Sequence, residues 1–248
     1  MTPIPHQLAP YLADLTAMVR DAVGPDLVGI WLIGSAAQEA YEHGVSDVDV
    51  FAVTRSRHPE HDRVTLGERI VHPALPCPTV GLEFVWYALP DLDPLGDPVQ
   101  FQLNVNGGLA RPSVIQLAPE GPNYWAVLDL AAALRVGVPL GDSPPPEDAL
   151  PALPDHRVAQ AIRESLAWHD GPDAGSPNRV LNVARLLVLV EDGTWLSKQA
   201  GAAALIARHP EFADAVSEAL LARAEGRWMD PHLADPLSAL LQAATAGR

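Results

Sequence analysis

At 248 residues and 48% hydrophobic, the chain can bury a real core, as one large domain or two modest ones. With 16 Lys and Arg against 31 Asp and Glu its formal net charge is −15, which argues against polymerase-like or RNA-tailing roles: a general nucleic-acid binder needs basic contacts to phosphate. The lone cysteine, Cys77, cannot form an internal disulfide, no basic and apolar leader opens the sequence, and no apolar run reaches the roughly 18 residues of a membrane span; a soluble, cytoplasmic protein is expected.

In chain order, residues 6–23 place Leu8, Leu12, Leu15, Met18 and Val19 at helical spacing. Pro25 ends that pattern, and Leu27–Ile33 (LVGIWLI) reads as a buried strand followed at once by Gly34 and Ser35. Asp47–Val53 (DVDVFAV) and Val80–Leu89 (VGLEFVWYAL) are two further strands. The Pro-, His- and Arg-rich stretch 54–79 reads mostly as loop; its His58 and His61 lack further zinc ligands and are expected to be solvated. Beyond residue 115 strand patterns give way to helical ones at about 122–137, 155–170, 177–191, 197–208, 211–226 and 231–246. Pro139–Pro154 is proline-rich and reads as a semi-rigid connection between helices. The layout predicts an α+β fold: an amino-terminal domain over 1–115 with a mixed β-sheet and flanking helices, and an α-helical bundle over 116–248.

The chemistry concentrates between Leu32 and Val53. A Gly-Ser pair leaves a buried strand, a polar connection follows, and Ser46-Asp47-Val48-Asp49 enters the next strand. Residues two apart in a strand share a face, so Asp47 and Asp49 present carboxylates side by side, roughly 6–7 Å apart along the backbone. That spacing suits magnesium, which takes a few carboxylates together with phosphate oxygens and water. Gly34 permits close backbone approach, and Ser35, starting a helix, offers a hydroxyl and an amide to phosphates. Asp-x-Asp alone is a common strand-end feature. Together with Gly34-Ser35 upstream and the strong strand downstream, it resembles the signature of the nucleotidyltransferase superfamily related to DNA polymerase β. Glu83 is the one acid in its apolar strand and is the candidate third carboxylate, a base for the acceptor hydroxyl and a contact to a second metal; the alternative is an edge strand with Glu83 in solvent.

In the helical half, Asn178, Asn182 and Arg185 form a polar stripe on an apolar helix, Gly193 reads as its stop, and Ser197 caps the next helix with Lys198 in its first turn. A lysine there opposes the helix dipole unless an anion is near. By pattern alone, a solvated face and an ordinary surface lysine are the better reading. The order Asn178, Arg185, Gly193, Ser197-Lys198 and an alanine-rich helix resembles the carboxy-terminal domain of aminoglycoside adenylyltransferases that modify streptomycin and spectinomycin.

That resemblance implies that Asp47 and Asp49 bind Mg2+, that Glu83 is the catalytic base and reaches the metal, and that Gly34, Ser35, Ser46, Arg185 and Lys198 hold the triphosphate of ATP or another nucleoside triphosphate. It further implies a cationic small-molecule acceptor, with Trp168, Asp170 and Asp173 in the region that reads it, and no nucleic-acid or membrane partner. The chain departs from the pattern at Glu39, where many members have glycine, and at Asn104–Gly108 (NVNGG), where the family has a drug-contacting tryptophan. Asp129 is either a partner of the Arg185 helix or a solvent-facing acid. Other readings are the same fold acting on a protein or a biosynthetic intermediate, and a catalytically silent nucleotide binder.

Overall fold

Strand pairing organises the first part of the chain, in a computed structural model that describes residues 4–109 and 111–246. Strands β1 (Leu27–Leu32), β2 (Val48–Thr54), β3 (Leu82–Ala88), β4 (Leu103–Gly108), β5 (Arg111–Gln116) and β6 (Val138–Pro139) form a sheet of order β5-β4-β3-β2-β1-β6. Among the described residues only β2 and β3 pair in parallel. Alternation divides the sheet cleanly. Ile30, Leu32, Val50, Ala52, Phe84, Trp86, Leu103 and Val105 face a core shared with helices α1 (Ala9–Val23) and α2 (Glu60–Ile70). The opposite face carries Asp49, Glu83, Tyr87, Asn104 and Asn106 and is met by Trp125 and Asp129 of α4 (Tyr124–Val136).

Three sequence expectations change here. The stretch 54–79 holds α2, whose buried face is only Leu66, Gly67 and Ile70; so narrow an apolar stripe barely registers as a period, and docking on the sheet makes the helix. Strands β4 and β5 went unrecognised because β4 is rich in Asn and Gly, which ordinarily leave strands. The compact amino-terminal unit runs over Met1–Leu153, not 1–115. The proline-rich stretch is stitched to β1: β6 pairs with it, Ile30 N–H donates to Ser143 Oγ (2.9 Å), and Trp31 Nε1–H donates to the Pro144 carbonyl (2.8 Å). Short helices α3 (Leu89–Leu92) and α5 (Pro146–Ala149) complete the unit.

The second unit, Pro154–Arg248, is helical: α6 (Asp155–Asp170), α7 (Pro177–Asp192), α8 (Lys198–Arg208), α9 (Ala213–Glu225) and α10 (Asp235–Thr245). These follow the predicted helices closely, because their starts and stops carry capping chemistry. Ser176 Oγ accepts from Asn178 N–H, Ser197 Oγ accepts from Ala200 N–H, and Gly193 and Gly226 end α7 and α9 in the left-handed region. Helix α7 is buried along most of its length, and Gly201 lets α8 approach it: a Cβ at Gly201 would sit 2.8 Å from Arg185 Cα. Among the described residues no helix is long and apolar enough to cross a membrane.

Glu39 occupies a position built for glycine. It ends the 3-10 turn Ala36–Gln38 at φ 55°, ψ 26°, and Ala40 N–H returns to the Ser35 carbonyl (3.1 Å) around it. An L-residue with a Cβ is strained there by about 1–2 kcal/mol. Glu39→Gly is therefore expected to stabilise the protein by about 1 kcal/mol, visible as a higher urea midpoint; a lower midpoint would contradict the strain.

Candidate active site

The parallel register of β2 and β3 sets Asp49 directly opposite Glu83, with Asp47 just before β2. One oxygen from each of the three carboxylates lies within 4.8 Å of the others, and all three residues are partly buried. Glu83 is thus on an interior strand beside the aspartates and not on a solvent-facing edge. Gly34 makes the arrangement possible. It follows β1 at φ 65°, and a Cβ added there would fall 1.9 Å from Asp49 Oδ2. The Ile33 N–H donates to the Asp49 carbonyl (2.9 Å), so the backbone of the Gly34 turn and the carboxylate strand are held together. Three hard oxygen donors this close, with a glycine leaving room beside them, fit a magnesium ion.

The two serines sit differently from the sequence expectation. Ser35 begins a three-residue 3-10 turn and not a helix, because Glu39 reverses the chain, so no helix dipole assists anion binding here. Its hydroxyl is nevertheless buried without a hydrogen-bond partner among the described residues, beside Gly34. Ser46 is buried, and its hydroxyl accepts from Glu42 N–H (3.1 Å) while its carbonyl accepts from Thr79 Oγ1 (2.7 Å). Ser46 braces the loop leading into Asp47.

A cavity of about 240 Å³ opens on the same sheet face. Asp49 and Glu83 line it together with Phe51, Tyr87, Asn104, Asn106, Gln116, Trp125 and Asp129. Asn106 Nδ2–H donates to Asn104 Oδ1 (2.9 Å), and Asn104 Nδ2–H donates to Gln116 Oε1 (3.0 Å), a chain of amides that starts opposite Glu83 in the β3–β4 register. Sequence reasoning did not assign these amides a role; alternation along β4 was the available signal.

In the helical unit the basic residues gather around Asn178. Lys198 Nζ donates to Asn178 Oδ1 (2.9 Å), and Arg223 Nη1 reaches the same oxygen at 3.4 Å. Arg185, on the same helix as Asn178, lies with its guanidinium 5.5 Å from the Trp195 ring centre. Arg223 comes from α9 and carries no sequence signal linking it to α7. Two cations thus share one amide oxygen in a chain of net charge −15.

The acceptor candidates have other neighbours. Trp168 is 50% exposed. Asp170 Oδ1 accepts from Arg179 Nε (2.7 Å) and Ser238 Oγ (2.8 Å), while Arg179, only 4% exposed, also bonds Asp235 and the Pro231 carbonyl. That carboxylate ties α6 to α7 and α10. Asp173 Oδ2 pairs with His169 Nδ1 (2.7 Å), and His169 Nε2 meets Asn182 Nδ2 (2.8 Å), which fits a neutral ring donating to Asp173 and accepting from Asn182. Burial holds the His169 pKa below its ordinary value despite Asp173, with Lys198 and Arg185 adding to the depression. His58 is not solvated as expected: its ring packs 4.9 Å from Trp86 and pairs with Asp26.

A mixed sheet bearing a three-carboxylate cluster, followed by a helical unit, is the architecture of a nucleotidyltransferase fold. Residues 148–235 match the family model described as aminoglycoside adenylyltransferase, C-terminal domain. The structure is also similar to the spectinomycin adenyltransferase AAD(9) from Enterococcus faecialis, solved with ATP and spectinomycin, with a TM-score of 0.68 at 16% identity over 96% of this chain and 99% of that one. No curated protein matches. The segment 148–235 is thus similar to the carboxy-terminal domain of aminoglycoside adenylyltransferases, and the fold is similar to that of the spectinomycin enzyme.

Two tests follow. Gly34→Ala would push Asp49 out of the cluster, with a loss of about 1–3 kcal/mol in stability by urea denaturation; an unchanged midpoint would show that the close approach is unimportant. For His169, a lowered folded pKa means the unfolded chain binds more protons. Stability should therefore fall as pH drops below 6.5, the ordinary value, and His169→Gln should flatten that part of the profile in thermal melts between pH 5 and 8.

Proposed function

We propose that the protein transfers the nucleoside monophosphate of ATP, or of another nucleoside triphosphate, to a hydroxyl of an aminoglycoside-like acceptor and releases pyrophosphate. The observation that carries this reading is the cluster of Asp47, Asp49 and Glu83 at the edge of a polar cavity. The family match over the helical segment and the likeness to a structure solved with ATP and spectinomycin support the donor and the acceptor class.

In this reading the acceptor oxygen attacks the α-phosphorus as Glu83 takes its proton, and the bond between the α-phosphorus and the bridging oxygen of pyrophosphate breaks. Asp47 and Asp49, with Glu83 beside them, would hold Mg2+, which when bound supplies positive charge to the phosphate oxygens. Gly34 and the unpartnered Ser35 hydroxyl contact the phosphates, and Ser46 keeps the loop before Asp47 in place. Arg185 and Lys198, joined by Arg223, neutralise the leaving pyrophosphate. Trp168 carries the acceptor contact in the helical unit; Asp170 serves Arg179 first, and Asp173 acts through His169. The need for ATP and the buried thiol of Cys77 suit a cytoplasmic setting.

Incubation with ATP, magnesium and either spectinomycin or streptomycin should release pyrophosphate, and Asp49→Asn should reduce the rate by at least about 100-fold. Release no greater than that of the Asp49→Asn protein on every acceptor would overturn the proposal. Tight calorimetric binding of a non-hydrolysable ATP analogue in that case would identify a silent nucleotide binder.

A further inference from the structure

A second cavity, of about 280 Å³, lies at the start of α2 and shares no lining residue with the cavity beside the carboxylate cluster. Arg57 and His58 just ahead of α2, Arg63 within it, Asp91 of α3, and the segments 100–102 before β4 and 117–118 after β5 enclose it. Arg63 is fastened in place by one nitrogen. Its Nη1 donates to the Gln102 carbonyl (3.0 Å) and to the Leu117 carbonyl (3.1 Å), which ties α2 to the entry of β4 and the exit of β5. The buried Nε and the Nη2 form the edge that grips an oxyanion as a fork, and neither makes a hydrogen bond among the described residues. Arg57, whose side chain is 65% exposed, turns its own Nη2 to the buried carboxylate of Asp91.

The charge of the lining selects its occupant. Arg20, Arg69, Arg179, Arg208 and Arg227 each pair with a carboxylate, as an acidic chain makes easy, whereas Arg63 pairs with none among the described residues. Two guanidinium groups against the single carboxylate of Asp91 leave the cavity with a surplus positive charge, and arginine cannot shed its proton to remove it. His58 turns its ring nitrogen to Asp26 instead, while its backbone N–H donates to the Gln102 side chain and helps fix the wall. A volume of about 280 Å³, near the lower end of ligand pockets, suits a compact molecule.

We propose that this cavity binds a small oxyanion, the phosphate or carboxylate group of a compact molecule, with two oxygens on Arg63 Nε and Nη2 and a further contact to Arg57. Binding there completes the hydrogen bonds of Arg63 and supplies the counter-charge that the protein itself does not. The site stands apart from the transferase reading, since none of the residues assigned to nucleotide or acceptor takes part in it.

Calorimetric titration of the full chain with sodium phosphate tests the site, without nucleotide or magnesium and against sodium chloride at equal ionic strength. Sodium acetate runs in parallel, and the tighter of the two anions tells a phosphate ligand from a carboxylate one. Saturable binding with a Kd below about 10 mM is expected, and Arg63→Lys, which keeps the charge and removes the fork, should weaken it about tenfold. Arg57→Gln, at a mostly exposed position, should weaken it about threefold or more and decides the matter if Arg63→Lys does not fold. Lys198→Ala should bind phosphate as the wild type does, because Lys198 belongs to the helical unit. No saturation by either anion up to about 50 mM overturns the inference, as does a Kd unmoved in folded Arg63→Lys, or binding lost only in Lys198→Ala.

Discussion

Two carboxylates set directly opposite each other on neighbouring strands repel, and the amino-terminal unit is arranged around that pair. The register that creates it, Asp49 against Glu83, is enforced from the other side of the sheet, where Val50, Phe84 and their neighbours are buried against α1 and α2. A slip of one residue in either strand would carry that strand's acid into the core. Apolar burial on one face thereby holds charge together on the other. Gly34 completes the arrangement, since the space its side chain would take is already filled by the Asp49 carboxylate.

The helical unit keeps its two important arginines in contrasting states. Arg179 is enclosed by Asp170, Asp235 and a backbone carbonyl, and its charge is spent on joining α6, α7 and the start of α10. Arg185 lies further along the same helix and faces Trp195 and the tightly packed α8, on the side where Lys198 and Arg223 share Asn178. The His169–Asn182 contact fixes a neighbouring turn of α7 with a neutral ring, adding no further positive charge to the cluster.

Much of this was readable in the sequence. Asp47, Asp49 and Glu83 stood out because a period of two puts acids on one strand face, and the structure brings all three together. The helices from α6 onward were readable because Ser176, Ser197, Gly193 and Gly226 mark their ends with local chemistry. Helix α2 was not, since its helicity depends on docking Leu66 and Ile70 and not on its own pattern. Asp170 pairs with the buried Arg179, a partner that no local period points to. The unit boundary at Leu153 was hidden because β6 has only two residues and its prolines suggest a linker.

By itself, then, the sequence determined the first three strands, the carboxylate pair at β2 and the capped helices, all of which depend on residues close together in the chain. Only the tertiary structure decided that Glu83 sits opposite Asp49, that Arg223 joins Lys198 at Asn178, and that Tyr87 and Asp129 line one cavity. The reason is physical. Strand register, helix docking and the pairing of buried polar groups are settled by burial between segments distant in sequence, and no local period encodes them.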